Sequence, residues 1–333
     1  MRKTYKTHKS KKYKLNKNSK LLRKTIRRKV SKHRNKILTG GALIGQGNYG
    51  CVFRPDLTSS NASLNNGNAV SKVVLKNNAF SEYRHEYKIL KKMKDIDPKG
   101  LFHSLLIDAY ELEDKHVPAD FQKCSLTKPT YDVDEFFVFN IAFAGSRNLT
   151  YYMKNAFSMK KTDKTIPEPA ILFSLLTNII VGIKKMIAAN ILHKTLDTDS
   201  VFLSEPISLE NPFCAKVIDY GDGELRKYKG YSDKNQDYIN FFKSVIKVLS
   251  TLLGQQPQQP QQPQQPQQPQ QPQQRNHAND KIISDLIRGF TVLLSMVEKN
   301  NVSYNEVVKS YIMLLERIFG KKYADFARRR YKL

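Results

Sequence analysis

The chain has 333 residues, and 56 Lys and Arg against 30 Asp and Glu give it a formal net charge of +26. That length suits one large two-lobed domain or two modest ones, either with a real core. The longest apolar stretch, ILFSLLTNIIVGI at 171–183, stops at Lys184 and Lys185, short of the ~20 residues a bilayer crossing needs, so no transmembrane segment is expected.

The start, MRKTYKTHKSKKYK, has charge but no apolar core, which excludes a secretory signal, and it is too rich in lysine for a good mitochondrial presequence. The first 36 residues carry 17 basic side chains and no acidic one. Self-repulsion predicts a largely disordered tail over 1–38. Residues 1–36 form a candidate surface for nucleic acid or another polyanion, bound through counterion release and largely blind to sequence. Within it, LLRKTIRRKV has the makings of a basic amphipathic helix on nucleic acid or anionic lipid. A solvated or targeting tail explains the same composition. The three cysteines, Cys51, Cys124 and Cys214, are odd in number and widely scattered, with neither a CxxC pair nor the spacing of a disulfide framework. This points to an intracellular, reducing setting.

From residue 39 the texture changes. ALIGQGNYGCVFRP and AVSKVVLK read as strands joined through an Asn/Ser/Gly-rich turn region at 58–68. SEYRHEYKILKKMK follows as a helix, and DEFFVFNIAFAG as a buried strand running into a turn. Pro167 and Pro169 mark the start of a long apolar helix reaching toward Leu192. DYINFFKSVIKVLSTLLG reads as a core helix ended by Gly254. SYNEVVKSYIMLLERIFG opens with a Ser303/Glu306 capping-box pattern and closes at Gly320. Between these two helices, proline at every third residue of the Gln/Pro tract at 255–274 forbids helix or sheet and favours an extended spacer. The expected organisation is therefore a tail (1–38), a small sheet with one helix (39–145), a mostly helical part (146–254), a low-complexity insertion (255–279) and C-terminal helices (280–333).

Chemistry enters with GQGNYGCV. Gly45, Gly47 and Gly50, followed by Val52, let backbone amides approach phosphate oxygens with no Cβ in the way, a spacing shared by dinucleotide folds and kinase nucleotide loops. A surface turn is the plain alternative. Here the loop leads into a strand, not a helix, and Lys72 follows on the next strand, which favours the kinase version. Lys72 needs a counter-ion; Glu86 supplies one from the helix, and Glu82, one turn earlier, is the rival.

On these residues the chain resembles the eukaryotic-type protein kinase family, and more closely its divergent members in large nucleocytoplasmic DNA viruses of the giant-virus and iridovirus kind. GGALIGQGNYGCVFRP is similar to their glycine loops and VSKV to their lysine strand. The resemblance spans 39–320 and implies an α+β, bilobal fold: a five-stranded sheet with one helix, then a helical lobe, with ATP and Mg²⁺ (or Mn²⁺) between them. It implies that Gly45, Gly47, Gly50 and Val52 cover the nucleotide and that Lys72, oriented by Glu86, holds its phosphates. The hinge for adenine would fall at 141–145, beginning with Ile141. In KVIDYGDG, the run Asp219, Tyr220, Gly221 looks like the family's Asp-Phe-Gly motif, making Asp219 a metal ligand. Asp237 is placed like the buried aspartate that pins the catalytic loop, with a helix N-cap as the plain alternative. A viral relative would reside in the cytoplasm or nucleus of an infected cell, or in the virion.

The catalytic loop departs from the family. HKTLDTDSVFL at 193–203 aligns with His-Arg-Asp-Leu-Lys-x-x-Asn, putting Lys194 for Arg, Thr195 for the catalytic Asp, Asp197 for Lys and Ser200 for the metal-binding Asn, with His193 and Leu196 kept. Threonine cannot act as a base at neutral pH. Asp197 would also put negative charge near the γ-phosphate, where the family puts positive. Three expectations follow: a kinase-like domain that binds ATP but has weak or no phosphoryl transfer and works as a pseudokinase scaffold; an active serine/threonine kinase using Asp197 or Asp199 as a displaced base; or a basic nucleic-acid-binding or virion structural protein on a kinase-like scaffold.

Overall fold

The computed structural model describes residues 41–331, except 48–49, 58–67, 77–82, 119, 128–130, 158–162, 212, 226–233, 255–276 and 300–301. The basic tail, the whole Gln/Pro tract and Glu82 lie outside the described residues.

The first part is a five-stranded antiparallel sheet in the order β1-β2-β3-β5-β4, built from β1 (Ala42–Gly47), β2 (Gly50–Arg54), β3 (Ala69–Leu75), β4 (Leu106–Glu111) and β5 (Phe136–Ala142). Every residue of β3 is buried. A strand covered on one face alternates; this one does not, because both faces of the sheet are covered. On the inner face Val74 and Phe139 join the main core with Ile89, Leu90 and Met93 of α1 (Tyr83–Ile96). The spacing 86, 89, 90, 93 is one helical stripe, and Lys88, Lys91 and Lys94 fall outside it, exposed. On the outer face Cys51, Phe53, Val73 and Val138 pack with Leu112, Phe121 and Cys124 of the long β4–β5 connection.

That packing corrects one expectation from sequence. Cys51 and Cys124, 73 residues apart, are joined as a disulfide, and only Cys214 is free. Linear spacing could not reveal the pair, because it forms only when the β4–β5 connection folds back over β2. The reducing setting inferred from unpaired cysteines loses that support.

The second part begins with β6 (Arg147–Asn148) and α2 (Leu149–Ala156), whose N-cap Asn148 accepts a hydrogen bond from the Tyr151 backbone at 2.9 Å. The central helix, α3 (Pro169–Ala188), starts at the expected proline. It is long and apolar enough to cross a membrane by length and composition, but most of it is buried against α2, α4, α6 and α7 as a core helix. Short strands β7 (Ile191–Leu192), β8 (Val201–Leu203), β9 (Ala215–Val217) and β10 (Glu224–Leu225) frame the loops between them. The helices α4 (Gln236–Gly254) and α5 (His277–Glu298) pack against each other, so the Gln/Pro tract joins two neighbouring core helices. The second of these begins at His277, inside the segment assigned from sequence to the insertion. The expected capping box is present: Ser303 Oγ accepts from Glu306 N, and the Glu306 carboxylate accepts from Ser303 N, opening α6 (Tyr304–Phe319). A last helix, α7 (Lys321–Tyr331), lies past the predicted stop at Gly320 and buries Ala324 and Ala327. The α+β, two-part architecture implied by the kinase resemblance is the one observed.

Candidate functional site

Cross-strand register aligns the residues singled out in the first part. Gly45 pairs with Val52, Val52 with Lys72, and Lys72 with Phe139. Partners across a pleated sheet project to the same side, and so do residues two apart on a strand. Val52, Lys72 and Phe139 therefore share the inner face, and Ile141 lies on that face too. The glycines divide into two kinds. A Cβ on Gly50 would press to 2.9 Å from the Val73 carbonyl oxygen, so packing alone demands glycine there. At Gly45 and Gly47 a Cβ would meet nothing within 4 Å, so the protein's own packing does not require their bareness. The tip, Asn48 and Tyr49, is outside the described residues.

Lys72 stands at the centre of the site. Its ammonium donates to Glu86 Oε1 at 2.7 Å and to Asp219 Oδ1 at 2.8 Å, tying β3 to α1 and to the turn after β9. Lys72 and Glu86 are almost fully buried, while the Asp219 side chain is 49% exposed. Burial by itself pushes the lysine pKa down, but the two carboxylates, Asp219 and then Glu86, outweigh it and hold the ammonium well above its ordinary value. Asp219 is held below the usual carboxylate range, first by the Lys72 charge. Glu86 lies above that range because burial outweighs the lysine. One cation cannot fully offset two acids, and the more deeply buried acid carries the deficit. Asp219 adopts φ 61°, a left-handed conformation uncommon away from glycine, so its carboxylate is aimed by strained backbone.

The loop after β7 is anchored from below. The buried Asp237 carboxylate accepts from the backbone N–H of His193 and of Lys194, each at 2.9 Å. His193 Nε2 lies 2.9 Å from the Ile218 carbonyl oxygen, and its ring lies 5.0 Å from that of Tyr220. Asp237 sits in the first turn of α4 but caps another loop, not its own helix. Lys194, at φ 72°, pairs with Glu224 on β10, a partner no sequence pattern indicated.

Thr195 is exposed in this loop. The two acids that could replace it are committed nearby. Asp197 Oδ1 accepts from the backbone N–H of Asp199 at 2.9 Å, from that of Ser200 at 2.8 Å and from Ser200 Oγ at 2.8 Å. Asp199 Oδ1 accepts from Asn148 Nδ2 at 2.8 Å. For a divalent cation, Asp219 offers a half-exposed ionised carboxylate, suitable for Mg²⁺. Ser200 fits that role less well, since its hydroxyl is turned to Asp197. Among the described residues no cluster of three or more His, Cys, Asp or Glu is placed to hold a metal.

Sequence reasoning missed a second buried cluster in the turn after α1. Asp97 accepts from the backbone N–H of Leu101 and Phe102, each at 2.8 Å, and lies 3.0 Å from His103 Nδ1, while the Lys216 ammonium donates to the Gly100 carbonyl. The only sequence signal was an Asp–Pro–x–Gly turn after a helix.

In this α+β fold a glycine-bearing hairpin, a lysine paired with two acids and an aspartate-anchored loop come together. No protein-family model matches it, and neither does any curated protein. Among solved structures it is similar to the autoinhibited serine kinase domain of the giant muscle protein titin, with a TM-score of 0.46 and 12% identity over 87% of this chain and 86% of that one.

Proposed function

We propose that this protein binds ATP with Mg²⁺ (or Mn²⁺) through Gly45, Gly47, Gly50, Val52, Lys72, Ile141 and Asp219, and that its phosphoryl transfer is weak or lost, so that it serves as a pseudokinase scaffold of the viral type its sequence resembles. The carrying observation is the Lys72 bridge to Glu86 and Asp219, at 2.7 and 2.8 Å. It leaves a buried, fully charged ammonium on the same sheet face as Gly45 and Gly47, two strands away, whose lack of a Cβ the protein's own packing does not require. The loop after β7 carries an exposed Thr195 with no basic function, and one oxygen of its Asp197 carboxylate is held in a local turn. Phosphoryl transfer depends on positioning and charge stabilisation; the positioning parts are retained and the acid that orients the attacking hydroxyl is not. When bound, the metal would offset phosphate charge from its place on Asp219.

Thermal melting with and without ATP and Mg²⁺ tests the reading. Ligand at about a hundred times its Kd should stabilise the protein by roughly 2.7 kcal/mol, with no label reaching a generic protein substrate. No shift in melting temperature overturns nucleotide binding. Label transfer that Asp197→Asn abolishes would establish an active kinase with a displaced base.

The tail supports a further role. Its 17 basic residues within the first 36 suit salt-dependent binding to nucleic acid or another polyanion. Deleting 1–36 should remove that affinity and leave the nucleotide shift intact; unchanged affinity would discard the role.

A further inference from the structure

The glycine hairpin is held from outside by the β4–β5 connection at three points. Cys51, the residue after Gly50, is bonded to Cys124. Ser125 N donates to Gln46 Oε1 at 3.0 Å, next to Gly45 and Gly47. Leu43 N donates to Asp120 Oδ2 at 3.4 Å, at the place where the β1–β2 register slips between Leu43 and Gly45. β1 is an edge strand, hydrogen-bonded within the sheet to β2 alone. A hairpin at a sheet edge opens easily, and the position of its glycines is then poorly defined. Here the connection supplies what the sheet edge lacks, and its only covalent link is the disulfide. Phe121 seats the connection by packing edge-on against Phe136, with ring centroids 5.1 Å apart.

We propose that the Cys51–Cys124 disulfide is a redox-controlled tether that sets the mobility of the glycine hairpin and, through it, the affinity for nucleotide. The inference rests on the nucleotide-binding reading above for its second half only. In the reductive direction a dithiol attacks one sulfur to form a mixed disulfide. Its second thiol then displaces that sulfur, leaving Cys51 and Cys124 as thiols and the reagent as its cyclic disulfide. Both cysteines are buried, at 0% and 2% exposure, so exchange requires the connection to lift from the sheet. Cys214 does not compete: it is buried, and burial pushes its thiol pKa up to about 12, which leaves almost no thiolate near neutral pH.

The test compares the full chain in air-oxidised form, the same chain refolded in dithiothreitol, and Cys124→Ser. Thiol titration after denaturation reports the bond, amide hydrogen exchange over 42–54 reports the hairpin, and titration with ATP and Mg²⁺ reports affinity. Losing the bond should speed exchange over 42–54 by roughly tenfold or more, leave α4 protected and weaken ATP binding about threefold or more. Three thiols in the oxidised chain, or equal exchange in all three samples, would overturn the tether. Equal loss of protection in α4 would overturn it too, because the bond would then hold the whole fold and not the hairpin. Faster hairpin exchange with unchanged ATP affinity overturns the coupling. Faster exchange with no ATP binding in any sample supports the tether and removes the nucleotide reading instead.

Discussion

Replacing Lys72 by Met removes the ammonium that Glu86 and Asp219 share while keeping most of the side-chain volume, so little of the effect is a cavity. Asp219, half-exposed, can recover water; Glu86, with its side chain 4% exposed, cannot. An unpaired buried carboxylate costs several kcal/mol, and the cheaper course is to fold with Glu86 protonated. Holding a carboxyl neutral costs ~1.4 kcal/mol for each pH unit above its unfolded value of ~4.3, hence close to 4 kcal/mol at pH 7 and about 1 kcal/mol at pH 5. The sign is definite: in that window the folded variant binds one more proton than the unfolded chain, so its stability falls as pH rises. Urea melts of wild type, Lys72→Met and Lys72→Met/Glu86→Gln between about pH 5 and pH 7 measure this. The single variant should lose ~1.4 kcal/mol per unit, more steeply than wild type, whose Glu86 pKa is itself raised, and the double variant should lose the slope. A deficit that is flat with pH, or a slope that survives Glu86→Gln, would refute the claim that Lys72 is what keeps the buried Glu86 ionised.

Gly145 lies at φ 124°, and a Cβ there would stand 1.9 Å from the Leu203 carbonyl oxygen. Gly145→Ala should therefore cost about 3 kcal/mol or more, from backbone strain and the enforced shift of β8; a thermal melt showing less than about 1 kcal/mol would contradict this placement of the link between the two parts. The Tyr220 hydroxyl is buried with no hydrogen-bond partner among the described residues. Tyr220→Phe, which restores the residue the resembled motif carries, should raise stability by about 1–3 kcal/mol in a denaturant melt, and a loss of stability would mean that the hydroxyl has a partner.

Much of the fold was legible because local rules and tertiary packing agree. Pro169 opens α3, Ser303 and Glu306 cap α6, and the apolar stripe 86-89-90-93 seats α1, each a short-range pattern that the packing has no reason to override. From sequence the partner of Lys72 could be narrowed to Glu86 or Glu82 on the following helix, because a lysine in a sheet needs a counter-charge and few acids lie within reach; the structure gives Glu86. The disulfide, the Lys194–Glu224 pair and the Asp97–His103 cluster could not, since their partners are set by how loops from separate strands are laid against each other. Helix α7 falls within the C-terminal helices expected over 280–333; its packing rests on the small buried residues Ala324 and Ala327, with Arg328 pairing to Glu316 of α6.

By itself the amino-acid order determined which residues are present at each position: a lysine on β3, an Asp-Tyr-Gly turn, and a threonine, Thr195, two residues after His193. Side-chain chemistry belongs to the residue, so a hydroxyl with no basic function is recognisable before any folding. What only the tertiary structure decided is how each charge is used. Asp197 and Asp199, equal in sequence as replacement acids, are spent on a turn and on Asn148, and Asp237 reaches out of its helix to hold His193 and Lys194. Hydrogen bonds and desolvation depend on distances of a few ångströms between segments far apart in the chain, and no linear pattern encodes those distances.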